Sequence, residues 1–181
     1  MKRGLLGCLL LVFATDALAH RLDEYLQATR ISVATNRIDL SIDLTPGVAI
    51  VDELLVVIDK DRDGRVSEEE GAAYAQRVLK DMRMGLDEKV LALSLVGTSF
   101  PTLREVERGL GVIRIKATAP VGQFSAGRHI LSLTNAHLPA ISVYLVNALV
   151  PKDHAIQITK QTRDELQKDY RLEFSVSPSP P

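Results

Sequence analysis

The stretch Asp59 to Glu70 reads DKDRDGRVSEEE and constrains the chain more than any other. Carboxylates stand at its first, third, fifth and twelfth positions: Asp59, Asp61, Asp63 and Glu70. Gly64 is sixth and Val66 eighth. Alternate side chains of a tight turn point the same way, so the three aspartates can converge on one point. Glycine at the bend supplies backbone conformations that a side chain makes costly. Converging carboxylates resist ionisation unless a cation gathers them. A merely solvated acidic turn leaves that repulsion uncompensated.

The spacing D-x-D-x-D-G-x5-E matches the EF-hand calcium loop at every defined position. Ca2+ is a hard cation that takes six to eight oxygens at roughly 2.3–2.6 Å. The expected ligands are the carboxylates of Asp59, Asp61 and Asp63, the backbone carbonyl of Arg65, Ser67 directly or through a water, and a bidentate Glu70. Arg65 offers only its carbonyl, so its charge is no objection. Glu68 and Glu69 point away and add to the local negative potential. Val66 turns inward and fastens the loop to its surroundings.

The flanks carry the period that such a loop needs. Thr45-Pro46 reads as a helix start, with Thr45 as N-cap and Pro46 in the first turn. Val48, Val51, Leu55 and Ile58 then fall at helical spacing, the incoming helix. After Glu70, Ala72 to Met82 places Tyr74, Ala75, Val78 and Met82 on one side, the outgoing helix. There is no second DxDxDG in the chain. EF-hands commonly pair, so a lone one is expected to be braced by the rest of the domain.

That remainder reads as short strands. Tyr25 to Ala34 is a first strand with Ile31 and Val33 on one face, and Thr35-Asn36-Arg37 a turn. Ile38 to Leu44 alternates apolar and polar without a fault, the mark of a half-buried strand. Met84–Leu86, the turn 87–89 and Val90–Val96 read as strand, turn, strand. Gly97 to Arg108 is a loop or short helix around Phe100-Pro101. Val112–Ala119 alternates again, Pro120–Gly127 connects, and Arg128–Thr134 is another strand. Ile141 to Val150 is mostly apolar and is expected to be central or buried on both faces. Ala155–Lys160 and Tyr170–Val176 are two more strands, separated by the charged Gln161–Asp169. Eight or nine strands with one helix-loop-helix predict a mainly β (α+β) fold. It is an antiparallel β-sandwich carrying an EF-hand insertion at about residues 46–83.

The ends bear on location. Lys2 and Arg3, the apolar run Leu5–Ala14 and Ala17-Leu18-Ala19 have the form of a cleavable signal peptide, residues 1–19. The expected cut falls between Ala19 and His20. Leu5-Leu6-Gly7-Cys8 resembles a lipoprotein box, but the apolar run follows Cys8 instead of preceding it. Loss of the leader takes the chain from 22 basic and 23 acidic residues to 20 and 22, net −2, and removes Cys8, its one cysteine. The mature domain, residues 20–176, would then form no disulfide and use no thiol chemistry. Export to the periplasm or outside the cell suits a calcium loop, because extracellular sites work at about 10⁻⁴–10⁻³ M calcium. Residues 177–181, a Pro/Ser-rich tail, cannot continue a strand.

Charge and motifs exclude several classes. A net charge near zero makes neither nucleic acid nor an anionic membrane an evident partner. No Walker loop, GxSxG or HExxH occurs, and Gly109-Leu110-Gly111 lacks the rest of a dinucleotide fingerprint. An enzyme is not expected. His20, as a first mature residue, could offer its α-amine and imidazole to Cu2+ or Ni2+, with His129, His137 and His154 to complete such a site. The alternative places these histidines at a frayed end, on the surface or in the core.

The segments AHRLDEYLQA, TPGVAIVDELLVVIDKDRDGRVSEEEGAAYAQRV and SVYLVNALVP resemble an exported bacterial EF-hand domain. Similar domains precede the membrane helices in relatives of the hydrogenase/urease accessory (nickel permease) family. The resemblance covers most of residues 20–175, and only its EF-hand part is a specific motif. A lone loop with no Met-rich groove is expected to hold its calcium in a mainly structural role. The resemblance implies an extracytoplasmic accessory role, either in transition-metal (Ni/Cu) handling or as an interaction module for a membrane-protein partner. No apolar span follows Val176 in this sequence, so transport is not carried over.

Overall fold

The computed structural model describes residues 23–178. The leader, Cys8, the cleavage signature and His20 lie outside the described residues, as do the last three of the tail.

The chain opens with the expected hairpin. β1 (Tyr25–Ala34) and β2 (Arg37–Pro46) pair antiparallel from Tyr25 opposite Pro46 to Ala34 opposite Arg37. The strict alternation of β2 buries Ile38, Leu40, Ile42 and Leu44 completely on one face. Each such side chain contributes about 1.5–3 kcal/mol by leaving water. Thr45 and Pro46 belong to this strand and do not start a helix, which corrects the expected Thr45 cap. Completing the hairpin uses Thr45 as the partner of Leu26, and the chain turns only at Gly47.

A 3-10 turn (Val48–Ile50) runs into α1 (Val51–Ile58). The buried face of this segment is Ile50, Val51, Leu54 and Ile58. Val48 is exposed and Leu55 half-buried, because the tighter first turn rotates the apolar stripe. After the acidic loop comes α2 (Glu68–Lys80), which buries Tyr74, Ala75 and Val78 as expected. Met82 is also buried, but as the first residue of β3 (Met82–Leu86).

β4 (Lys89–Leu91) returns on β3, and β5 (Ser94–Ser99) follows. The expected single strand Val90–Val96 is therefore two strands, and they lie in different sheets. A short helix α3 (Leu103–Glu107), started by a Thr102/Glu105 capping box, leads to β6 (Ile113–Pro120) and β7 (Gly127–Asn135). β8 (Ser142–Ala148), β9 (Ile156–Arg163) and β10 (Asp169–Val176) complete the domain.

Two five-stranded sheets result, ordered β5-β6-β2-β1-β8 and β4-β3-β7-β10-β9. Their inner faces share one core, with Ile31, Ile42, Ile115, Leu131, Leu172 and Phe174 among its buried members. The sandwich is antiparallel but for one pair: β8 runs parallel to β1. β8 is also an edge strand, not a central one, and its outer face leaves Val143 and Leu145 exposed. Side chains of β9 close part of its free edge. Arg163 Nε donates to the Val146 carbonyl at 2.8 Å, and the Ala148 N–H donates to Gln161 Oε1 at 3.3 Å.

The helix-loop-helix is thus a crossover. It leaves the first sheet at the end of β2 and enters the second at β3. No helix among the described residues is long and apolar enough to cross a membrane.

Candidate metal centre

The loop between α1 and α2 folds as its spelling demands. Gly64 takes φ +81°, the left-handed region, and open space surrounds the position of its missing Cβ. The requirement there is backbone conformation, not room. Arg62 also sits at positive φ, 60°. Aspartates fix the turns by accepting local N–H groups. Gly64 N–H donates to Asp59 Oδ2 at 3.1 Å, Asp63 N–H to Asp61 Oδ1 at 3.1 Å, and Arg65 N–H to Asp63 Oδ1 at 2.8 Å. Val66 packs against the core, as expected.

This geometry brings one carboxylate oxygen from each of Asp59, Asp61 and Asp63 within 4.8 Å of one another. Asp59 is 7% exposed, and its Oδ1 is buried with no hydrogen-bond partner, alone in this among the described residues. An ionised oxygen left so is costly unless a cation completes its surroundings. At Asp61 the Asp63 backbone N–H lowers the pKa. Desolvation, the charges of Asp63 and Glu70 and a contact with Asp59 outweigh it, so the carboxyl titrates above its usual value. A cation beside Asp61 would favour its charged form.

Ser67 and Glu70 lie at the start of α2. Ser67 Oγ accepts the Glu70 N–H at 3.3 Å, while Glu70 Oε2 accepts the Ser67 N–H at 3.0 Å and its hydroxyl at 2.8 Å. This reciprocal capping box satisfies two of the helix's orphan donors. The other oxygen of Glu70 accepts the Lys60 N–H at 2.6 Å and the Asp61 N–H at 3.4 Å. Glu70 therefore ties both ends of the loop together. The Ser67 N–H and hydroxyl, followed by the Lys60 N–H, pull its pKa down to about 2. The group of converging carboxylates comprises the three aspartates and does not include Glu70.

Compared with family models, with curated proteins and with solved structures, the chain matches none. The loop's chemistry is therefore read from its own atoms.

A second polar cluster escaped the sequence reading. His137, fully buried in the β7–β8 connection, places Nδ1 2.7 Å from Asp81 Oδ2 at the C-terminal end of α2. Its Nε2 lies 3.2 Å from the Tyr74 hydroxyl, which in turn lies 2.8 Å from the Tyr25 hydroxyl. The His137 carbonyl accepts from Gln27, Ser142 and Tyr144, and Asn135 joins Gln27 to the His137 N–H. The signal lay in β1, where Gln27 stands at a core-facing position between Tyr25 and Ile31. Buried amides of this kind are held by partners, and the partners are distant in sequence.

His129 forms a separate pair. Its Nδ1 is 2.6 Å from Asp87 Oδ2 and its Nε2 2.9 Å from the Ser125 carbonyl, with Phe174 stacked on the ring. Both nitrogens face acceptors, an arrangement that favours the doubly protonated ring. Desolvation lowers its pKa, but the Asp87 hydrogen bond, the Ser125 carbonyl and the Asp87 charge raise it further. His129 and His137 each spend both ring nitrogens on protein partners, and neither presents a lone pair to a metal.

Proposed function

We propose that this chain is an exported calcium-binding protein in which the single loop Asp59–Glu70 holds one Ca2+ in a mainly structural role. The observation that carries this reading is the buried, partnerless Oδ1 of Asp59 beside the oxygens of Asp61 and Asp63. The donor set is all oxygen and heavily anionic, which suits a hard divalent cation. Asp59, Asp61, Asp63 and Glu70 would hold the ion by carboxylates, Arg65 by its carbonyl, and Ser67 directly or through water. The ion supplies the positive charge that gathers these groups. The chain's own residues do the rest: Gly64 makes the bend, Val66 anchors it, and Ser67 caps α2.

The loop's place in the fold favours a clasp over a sensor. It sits in the crossover between two sheets, so occupying it fixes α1 against α2 and both against the sandwich. Stabilisation then follows ligand linkage, about 2.7 kcal/mol at 100 times the dissociation constant. A lone EF-hand without a Met-rich groove has little target surface to open. No enzymatic activity is proposed. Export rests on the leader-like sequence of residues 1–19.

A role as a partner-binding module beside a membrane protein draws on the family resemblance and on the bare aliphatic face of Val143 and Leu145. Transition-metal handling through His20 draws no support from His129 or His137, whose nitrogens are taken.

Calorimetric titration of the processed chain with calcium, beside Glu70→Gln and Asp59→Ala, tests the main reading. Heat of binding and a higher melting temperature at millimolar calcium are expected for the wild type and not for the variants. No heat and no rise for the wild type would overturn it.

A further inference from the structure

The partners of His137 assign its proton. The Asp81 carboxylate accepts at Oδ2, so Nδ1 carries the hydrogen and the neutral ring offers Nε2 as an acceptor. Tyr74 then donates its hydroxyl to Nε2, and Tyr25 donates to the Tyr74 oxygen. Three hydrogen bonds use three protons, and Tyr25 has no other hydroxyl partner among the described residues. A fourth proton, on Nε2, reverses the Tyr74 contact and leaves one buried tyrosine hydrogen with no acceptor. The chain of bonds is therefore complete only with His137 neutral.

This chain of bonds also ties α2 to the sandwich, beside the Ala136 N–H that donates to the Asp81 carbonyl at 3.0 Å. Tyr74 and Asp81 are the helix's contribution, Tyr25 comes from β1, and His137 follows β7. The same helix starts with Ser67 and Glu70, and Tyr74 lies one turn beyond Glu70 on it.

We propose that His137 is a positioning residue for the ion loop: its neutral ring holds α2 through Tyr74, and its protonation loosens that helix and weakens ion binding at Asp59–Glu70. This role presupposes the calcium reading above and adds its regulation by acid.

The groups facing the ring decide the direction. From α2 they are Asp81, Tyr74 and Arg77; from β1, Tyr25; from β8, Tyr144, whose hydroxyl binds the His137 carbonyl. Desolvation comes first and opposes the charged ring; Asp81 favours it and Arg77 opposes it, and the balance keeps the pKa below the ordinary histidine value of 6.5. Burial raises both tyrosines, Tyr74 to about 12, so neither yields a proton near neutrality.

Calcium titrations of the purified protein at pH 7.5 and 5.5, with wild type and His137→Gln side by side, test the role. Glutamine stays neutral and keeps a carbonyl acceptor for Tyr74. The loop carboxylates are the same in both proteins, so their own titration cancels in the comparison. The wild type should lose affinity at the lower pH, and the variant should lose less of it. Equal pH dependence in the two proteins overturns the role and leaves the calcium reading standing. Absence of binding by the wild type at pH 7.5 removes both. Should the variant not fold, the wild type suffices, because linkage is reciprocal. The imidazole nitrogen shifts of His137, titrated with and without saturating calcium, must show a lower pKa in the loaded protein, and an unchanged pKa overturns the role.

Discussion

The edge of the Phe100 ring occupies the place where a side chain on Gly71 would begin: a Cβ there would lie 2.7 Å from the ring. Gly71 follows Glu70 directly, in the first turn of α2. Its backbone is ordinary helix, so the requirement is closeness, not conformation. Phe100, at the end of β5, also meets Tyr74 edge-on at 6.3 Å between ring centroids. A residue with no side chain thus lets the β5 end pack onto the loop-side end of the helix. Gly71→Ala is expected to lower stability by about 1–3 kcal/mol through overpacking, less about 1 kcal/mol regained from helix propensity. Thermal melting reads the sum, and a rise in melting temperature would show that Phe100 yields freely.

Asp59 predicts a reversal of rank with calcium. Asp59→Asn keeps an oxygen for the Gly64 N–H but removes the buried charge. In chelator the variant should melt no lower than the wild type, since its partnerless anion is gone. In millimolar calcium the wild type should rise, gaining about 2.7 kcal/mol at 100 times its dissociation constant, and the variant should stay. Melting curves in both conditions decide it; a wild type that ranks the same way in both contradicts the clasp.

The hairpin and the loop were legible because their signals are local. Strict alternation fixed the faces of β2, and fixed spacing with one glycine marked Asp59–Glu70. What escaped depends on partners far along the chain. Ile141–Val150 reads as a two-face-buried strand, yet β8 lies at an edge. Apolar composition does not say whether a second sheet neighbour exists. Val90–Val96 has the pattern of one strand, but Ala92 and Leu93 carry the chain from one sheet to the other. Thr45-Pro46 has the spelling of a helix start, and the hairpin register claims both residues first. Within the site, the aspartates converge as spacing implied. The capping box drawn from Ser67 and Glu70 went unread, although S-E-E-E is also the spelling of a helix cap.

Ser67→Ala removes half of that box. The loss of the cap should cost about 1 kcal/mol. It should also raise the Glu70 pKa part of the way from about 2, since the hydroxyl is lost while the backbone N–H at position 67, the chief group holding it down, remains. A carboxyl with a depressed pKa contributes stability that is present above the ordinary value and is lost as pH falls through the folded one. For Glu70 that window runs from about 4.5 to about 2. Carbon-detected titration of the Glu70 carboxyl in chelator should show the displaced value in the wild type and a higher one in Ser67→Ala. An identical value in both would mean that the backbone N–H groups of residues 60, 61 and 67 set it without the hydroxyl.

His129 and Asp87 give an opposite pH signature at the far hairpin. Asp87 and Glu88 both take positive φ, 47° and 69°, the requirement of a tight primed turn between β3 and β4. The Asp87 carboxylate accepts from His129 and from the Ile130 N–H, binding this turn to β7. The His129 pKa is raised, so its contribution is full below 6.5 and is lost as pH rises through the folded value. Asp87 is lowered despite desolvation, by the His129 and Ile130 hydrogen bonds; its contribution is present above 3.8 and is lost as pH falls through its folded value. The pair therefore stabilises most between those limits. Asp87 is partly exposed, so after solvent screening the pair should contribute about 1 kcal/mol. A double-mutant cycle of His129→Gln and Asp87→Asn, run by chemical denaturation at pH 5.5 and 8.5, should give that coupling at the lower pH and a smaller one at the higher. Coupling that grows with pH would mean that the ring is neutral in the folded protein.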